Sequence, residues 1–537
     1  MKKVRILSLL LVIVMVMSSF VGCGGNTPAE KPAASGDGTS SSAAAPTDRK
    51  LVVGIDQAGN SFSPVNAAMG NAEYVVISMV YETLGTYDDN MEVKGICAKD
   101  WKQVDEEGYE YEVELYDYIK DIDGNPITVD DIFFFYDLAI ENKYHFVTRY
   151  IESYEKLTDY TFKVRLVANT SDSFPSVLTG TRVFSAKAYQ ESADGFATRP
   201  IGTTSYRLTE FEPGGNIVLT KVDTPHWQTD TSKLDKSQYA NVDEVKVVPI
   251  VESSQQSIQI ETGEIDMMRG MNSAVLPRFE GNDDYKIFSF NQIMGRILYF
   301  SGEAGKPTAD NVKLRQALCY AIDTQGIVDV VLAGRGTAEK SHGSNLLVGY
   351  NQKWMEEDYY DYNPEKAKQL LKEAGYEEGE LTLTFLTLAT DEWNKVAQVV
   401  QAYLLDIGVN VEIEAYEGAL FGTLYNDGTK FDITMDQIGG NFLHAIFNSK
   451  MGQAGYGGKT KTGFVDNELE ALIQTCRYDS ATAEDFDALH YYLKDQAYAL
   501  GLYDPVLSSV ARKDSGIKEL VYDFKMQNLL NATIFED

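Results

Sequence analysis

Residues 381–413 read LTLTFLTLATDEWNKVAQVVQAYLLDIGVNVEI, and this run decides the fold class. Leu381, Leu383 and Phe385 alternate with threonines, the period-two pattern of a half-buried strand. Trp393, Val396, Ala397, Val400 and Leu404 then recur at helical spacing, and Gly408 stops the helix. Val409, Val411 and Ile413 alternate again. Strand, helix, strand with short connections implies a right-handed crossover between parallel strands. The expected class is α/β, with a parallel sheet in at least this part of the chain.

Working outward, the same grammar recurs. Asp310 or Asn311 caps a helix with Leu314, Ala317, Leu318, Ala321 and Ile322 on one face. Asn363 caps another, with Pro364 in its first turn and Gly375 at its end. Upstream, residues 50–55 read as a strand, followed by a loop at 59–64 and a helix over 72–84. Alternation at 109–116 and 160–166 predicts two more strands. Between them Thr128 caps a helix, with Asp131 three residues on as an acidic capping-box partner. Residues 206–211 and 217–222 flank the turn 213–216 as a hairpin. A strand over 242–250 and a helix over 254–263 follow. No tandem repeat is present. A chain of 537 residues exceeds one core, so two or three domains are expected.

The first residues carry a secretion signal. Lys2, Lys3 and Arg5 precede an apolar run from Ile6 to Met17, too short for a membrane span of about 20 residues. The Phe20-Val21-Gly22-Cys23 segment resembles the lipobox of bacterial lipoproteins. That resemblance implies cleavage of residues 1–22 and a diacylglycerol on Cys23, holding the domain at a membrane face. Residues 23–48, rich in Gly, Ser, Ala, Thr and Pro, then form a flexible tether. Loss of Lys2, Lys3 and Arg5 takes the formal net charge from −33 to −36. So acidic a surface repels phosphate backbones and argues against a nucleic-acid partner. With Cys23 lipidated, Cys97, Cys319 and Cys476 remain, an odd, widely spaced set expected to be buried thiols with at most one bridge.

Motifs for catalysis are near-misses. Gly458-Lys459-Thr460 looks like the end of a phosphate loop, but Gln453 stands where the first glycine belongs. Gly334 and Gly336 lack a third glycine, since position 339 is Glu. Asp121, Asp123 and Asn125 open like a calcium loop, but Pro126 replaces the needed glycine. There is no HExxH or CxxC, and no metal or cofactor is expected. A secreted hydrolase built on paired carboxylates is the distant alternative, because spacing in sequence does not reveal spacing in space.

Several blocks in order resemble family 5 extracellular solute-binding proteins, which serve importers of peptides, nickel and related solutes. They are Met79 to Leu84 with Tyr87-Asp88, Ala98 with Trp101, Asp123 to Ile132, Pro200 to Thr203 with Tyr206 and Phe211 to Gly214, and Thr262 to Asp266. Val312 to Asp323 and Tyr362 to Leu371 complete the set. Within them Arg315 and Asp323 read as an internal ion pair or cap rather than as ligand contacts. The resemblance implies a two-lobed periplasmic-binding-protein-like fold. Lobe one would hold 49–293 plus 506–537, with an inserted subdomain at about 75–205. Lobe two would hold 294–505. Hinges are expected near 292–301 and 502–512. It further implies a monomeric receptor, extracytoplasmic and anchored by its lipid to the outer face of the cell membrane. That receptor would close on its solute and deliver it to an ABC permease and ATPase complex.

Three regions are candidates for the ligand, by the same resemblance. The first is Asn60, Ser61 and Phe62 after the first strand. The second is Asp436 with the loop Gln437, Gly439, Gly440 and Asn441. The third is Tyr416 with Phe421. In peptide binders of this family an acid follows the glycines and meets the peptide amino group, a strong charge-assisted contact. Here that place is Asn441, and Asp436 is a possible substitute. A peptide is the expected ligand, with main-chain pairing of strand type. An oligosaccharide held by Asn441, Gln437, Tyr416 and Trp393 is the main rival. Nickel is less favoured, since no histidine lies in these loops.

Overall fold

The computed structural model describes residues 49–66, 71–88, 90–222, 233–273, 275–291, 293–453, 456–523 and 529–536. The expected signal segment, Cys23 and the tether lie outside them. β1 (Lys50–Ile55) buries Leu51, Val53 and Ile55. The helix expected over 72–84 is α1 (Asn71–Val80) and ends sooner. The Val80 carbonyl accepts from Thr204 N–H, and Gly202 lies so close that a Cβ there would meet that oxygen at 1.9 Å. Residues beyond Val80 turn into short strand pairs, Glu82–Thr83 against Arg182–Val183.

A four-stranded antiparallel sheet follows. Its strands are β2 (Ala98–Gln103), β3 (Glu110–Leu115), β4 (Ile151–Lys156) and β5 (Thr161–Leu166), in the order β2-β3-β5-β4. α2 (Val129–Glu141) packs on it through Phe133, whose ring centroid lies 4.6 Å from Tyr154 and 5.7 Å from Phe162. Thr128 N–H donates to Asp131 at 2.7 Å, as the capping pattern predicts. The calcium-like Asp121 closes its own turn, accepting from the N–H groups of Asp123 and Asn125, each at 2.9 Å.

The main sheet joins twelve strands. Besides β1 these are β6 (Tyr206–Phe211), β7 (Ile217–Lys221), β8 (Glu244–Pro249), β9 (Met267–Arg269), β10 (Tyr285–Asn291), β11 (Arg296–Phe300) and β12 (Gly336–Ala338). β13 (Leu381–Leu388), β14 (Val409–Tyr416), β15 (Ile433–Gln437) and β16 (Ala499–Arg512) complete it. The order is β6-β7-β8-β1-β9-β16-β11-β15-β13-β14, and β10 and β12 also pair with β16. β1 runs parallel to β8 and β9, and β13 runs parallel to β14 and β15. The sheet is therefore mixed, with one parallel set on each side of β16.

Helices α3 (Val312–Ala321) and α4 (Pro364–Glu373) begin at their asparagine caps. Asn311 accepts from Leu314 N–H at 3.1 Å and Asn363 from Lys366 N–H at 3.0 Å. α5 (Asp391–Asp406) buries Val396, Ala397, Val400, Leu404 and Trp393. Trp393 therefore packs in the core and is not a free stacking face for a sugar. Arg315 and Asp323 do not pair. Arg315 donates to the carbonyls of Thr308, Ala309 and Gln496, and Asp323 caps the next helix through Gly326 N–H at 2.9 Å. Cys97, Cys319 and Cys476 are free and buried.

β16 holds the molecule together. Ala499–Tyr503 of this strand pairs with β11, and Val506–Arg512 pairs with β10. One large core gathers residues between Ile297 and Tyr503. Another gathers residues between Leu51 and Met267 with Ala511, Ile517, Leu520 and Leu530. These cores define a second and a first lobe. The chain passes between them from Asn291 to Arg296 and again at Asp504-Pro505. Among the described residues no helix is long and apolar enough to cross a membrane.

Candidate functional site

Strand direction places the site. β13, β14 and β15 end at Leu388, Tyr416 and Gln437, and Gln437 pairs with Arg296 at the start of β11. Their carboxyl ends therefore meet the chain where it crosses between lobes. In the first lobe β1 and β9 end at Ile55 and Arg269, and just beyond, Met271 N–H donates to Ser508 O at 2.7 Å on β16. Both parallel sets aim their carboxyl ends at the crossing. Ligands of open α/β sheets sit outside such ends, so both lobes point to the crossing as the candidate site.

On the first-lobe side, Asn60 is exposed and its N–H donates to Glu73 at 2.8 Å. Ser61 O accepts from Asn66 Nδ2 at 2.9 Å. Phe62 is fully buried, edge-on to Phe211 at 4.6 Å, so it braces the loop from below and does not face the cleft. Sequence reasoning missed Arg269, buried at the end of β9. Burial lowers its pKa, while Tyr74, Asp56 and Asp523 favour its charge. Tyr74 donates to Asp523.

On the second-lobe side, Tyr416 is half-buried at the end of β14, its hydroxyl 3.2 Å from Glu414. Phe421, on α6 (Gly418–Tyr425), lies against Trp393 at 5.7 Å and Tyr425 at 5.6 Å and belongs to the core. Asp436 is not a free acid. It accepts from Tyr425, from Gln437 N–H at 2.8 Å, and from Lys450 Nζ at 2.5 Å on α7 (Leu443–Met451). Its charge is already met, so it does not stand in for the missing acid. Gly439 and Gly440 are exposed, and a Cβ on Gly439 would lie 3.3 Å from the Ile293 carbonyl in the crossing segment. The half-buried Gln437 lies beside a pinned edge. Arg296 donates to Glu392 through Nε at 2.9 Å and Nη2 at 3.3 Å, and Tyr503 donates to the same carboxylate at 2.9 Å.

Asn441 is half-buried and faces Tyr87 of the other lobe. Burial pushes the Tyr87 phenol well up, and the nearby Asn441 amide offsets part of that. Phe442 meets the Tyr87 ring edge-on at 6.2 Å. Beside it, Ser171 Oγ and His444 Nε2 lie 2.8 Å apart, and Ser171 N–H donates to Arg477 O at 3.0 Å. These residues form a belt between the lobes. Tyr87 was signalled by its place in the family-like Tyr87-Asp88 block. Ser171, His444 and Arg477 carried no sequence signal. Among the described residues no group of three or more His, Cys, Asp or Glu side chains is placed to hold a metal.

Residues 92–460 match the family model of bacterial extracellular solute-binding proteins, family 5 (middle). The chain belongs to this family. A curated relative, the glutathione-binding protein GsiB of Escherichia coli K12, is 25% identical over 495 residues, covering 91% of this chain and 92% of that protein. The oligopeptide-binding protein AppA of Bacillus subtilis, solved with a nonapeptide, superposes with a TM-score of 0.72 at 19% identity, covering 91% of this chain and 99% of that one. A dipeptide-binding protein from a Pseudoalteromonas species, solved with Met-Leu, gives 0.73 at 20% identity, covering 91% and 100%. The family 5 protein described here is thus an extracytoplasmic solute receptor of two-lobed fold, and its task is binding rather than catalysis.

Proposed function

We infer that this solute-binding protein captures a peptide between its lobes and hands it to an ABC permease and ATPase complex. The carrying observation is the convergence of two parallel strand sets on one crossing, in a chain similar over nine-tenths of its length to proteins named for glutathione, an oligopeptide and a dipeptide. Exposed Asn60, Gly439 and Gly440 and half-buried Ser61, Gln437 and Tyr416 line the edges of the cleft in this reading. Their backbone groups offer the main-chain pairing that an extended peptide needs. Asn441 serves closure, through Tyr87. The peptide amino group is met by neither Asn441 nor Asp436. We take the lobes as 49–293 with 506–537, and 294–505, with a subdomain at about 75–205. The separate hydrophobic cores and the crossing at Asp504-Pro505 support that division.

The test is thermal unfolding of the tether-free protein against peptides, oligosaccharides and nickel chelates. A ligand that binds only the folded state stabilises it by about 2.7 kcal/mol at a hundredfold excess over Kd. Di- to oligopeptides or glutathione should raise Tm. A rise with oligosaccharides alone would make the peptide reading wrong.

The monomeric receptor is held at the outer face of the membrane by lipid on Cys23. The basic, apolar and small-residue order of residues 1–23 supports this. Cys23→Ser should release the protein from the membrane fraction; unchanged retention and processing would sink the anchor.

A further inference from the structure

The second lobe has a pocket of about 240 Å³ lined by Glu303, Asp427, Thr429, Tyr456, Lys459 and Lys461. Two hydrogen bonds to main-chain carbonyls fix its position. Gly302, just past the end of β11, donates to Thr462 O at 2.8 Å, and Ser301 Oγ donates to Gly428 O at 2.7 Å. β11 starts at the cleft edge, so its far end puts this pocket at the opposite edge of the sheet.

One wall is the run Gly457-Gly458-Lys459-Thr460-Lys461, which contains the incomplete phosphate-loop motif. Gly457 and Gly458 have φ of 72° and 89°, a left-handed turn that glycine adopts without strain. The charges around the pocket are unevenly matched. Lys459 pairs with Glu303. Asp427 accepts from Thr429 N–H and its hydroxyl, at 3.1 and 2.6 Å, and pairs with Lys430 at 3.8 Å. Lys450 pairs with Asp436 at 2.5 Å.

Lys461 has no ion pair among the described residues. Its ammonium lies 3.9 Å from the centroid of the Tyr425 ring, and that tyrosine donates to Asp436. One acid therefore serves two lysines, and the cluster holds surplus positive charge within a strongly acidic protein. Burial, and after it the nearby Lys450, hold the Lys461 ammonium down to about 8. A half-buried cation without a counter-charge is costly, and an anion entering the pocket relieves that cost.

We propose that this pocket is a second binding site, taking a small oxyanion such as a phosphate or a carboxylate, with Lys461 as its charge partner. Its lining residues are not those that line the cleft, and it does not depend on the solute being a peptide. The test follows Lys461 by NMR of the ¹³C-dimethylated lysines in the full-length mature domain, titrated separately with inorganic phosphate and with acetate; Lys461→Met assigns the resonance. A saturable shift is expected with at least one anion, and the arm that responds identifies it. In its presence the Lys461 midpoint should climb from about 8 toward the ordinary lysine value of about 10.4. The same anion should raise Tm in the wild type and not in Lys461→Met. No saturable shift with either anion, or an equal Tm rise in both proteins, overturns the site.

Discussion

Two of the places where the lobes meet are built from opposite materials. At the belt, Tyr87 and Ser171 of the first lobe meet Asn441, Phe442 and His444 of the second through a neutral hydrogen bond, an amide beside a phenol and ring edges. At the crossing, Asp504 of β16 lies beside Glu339, both 3% exposed or less. Written as two carboxylates, they have no donor; sharing one proton makes one the donor and the other the acceptor. Gly295, in the other crossing segment, sits so close that a Cβ would lie 2.9 Å from Asp504 Oδ1. The belt exchanges its bonds for bonds to water when the lobes part, at a net cost of only about 0.5–1.5 kcal/mol each. The crossing is covalent and cannot part, but it holds a proton. Closure is thus set at the belt, and the acidity of the medium is felt most strongly at the hinge.

The largest effect should come from the hinge. Burial and the neighbouring acid raise the pKa of Glu339, and burial raises that of Asp504, against smaller opposing effects of Glu339, Ser344 and Arg296. The unfolded chain releases these protons near the ordinary values of about 4. Above that pH the folded state binds more protons than the unfolded state, so stability falls as pH rises toward the raised folded values. Glu339→Gln keeps a donor for Asp504 and removes one titration. It should be more stable than wild type by about 1–2 kcal/mol near pH 8, with the gain vanishing near pH 4. Denaturant unfolding of both proteins across that range is the check. Parallel stability profiles would mean that the pair does not share a proton.

The same contrast explains what the sequence disclosed. The β13-α5-β14 unit and the caps at Asn311, Asn363 and Thr128 were legible because period, cap and stop lie within a few residues of one another. The end of α1 was not, because Thr204 and Gly202, far along the chain, take the Val80 carbonyl. The candidate loops could be marked as positions on the chain, but the partners of their side chains could not. Asp436 was neutralised by Lys450, Phe62 was claimed by Phe211, and Asn441 was drawn to Tyr87. Each of these outcomes rests on a partner that periodicity cannot name. The belt residues Ser171 and His444 were invisible for the same reason, since a contact between lobes leaves no local pattern.

The smaller effect should come from the belt. The His444–Ser171 bond is neutral and forms only when the lobes meet, so His444→Ala should weaken ligand affinity about two- to tenfold with little change in Tm. Its pH dependence has a definite sign. Burial lowers the His444 pKa and Arg477 lowers it further, while Asp172 and Asp479 act the other way; the net direction is down. When the lobes part, the ring is hydrated and regains a pKa of about 6.5, so opening takes up a proton below that pH. Affinity should therefore fall as pH drops from about 7 to about 5. His444→Ala should abolish the fall. Ser171→Ala removes the bond but leaves the ring, so it should lower affinity at every pH and keep the fall. If all three proteins lost affinity in parallel on acidification, the titrating group would lie elsewhere and the belt would be only a steric stop.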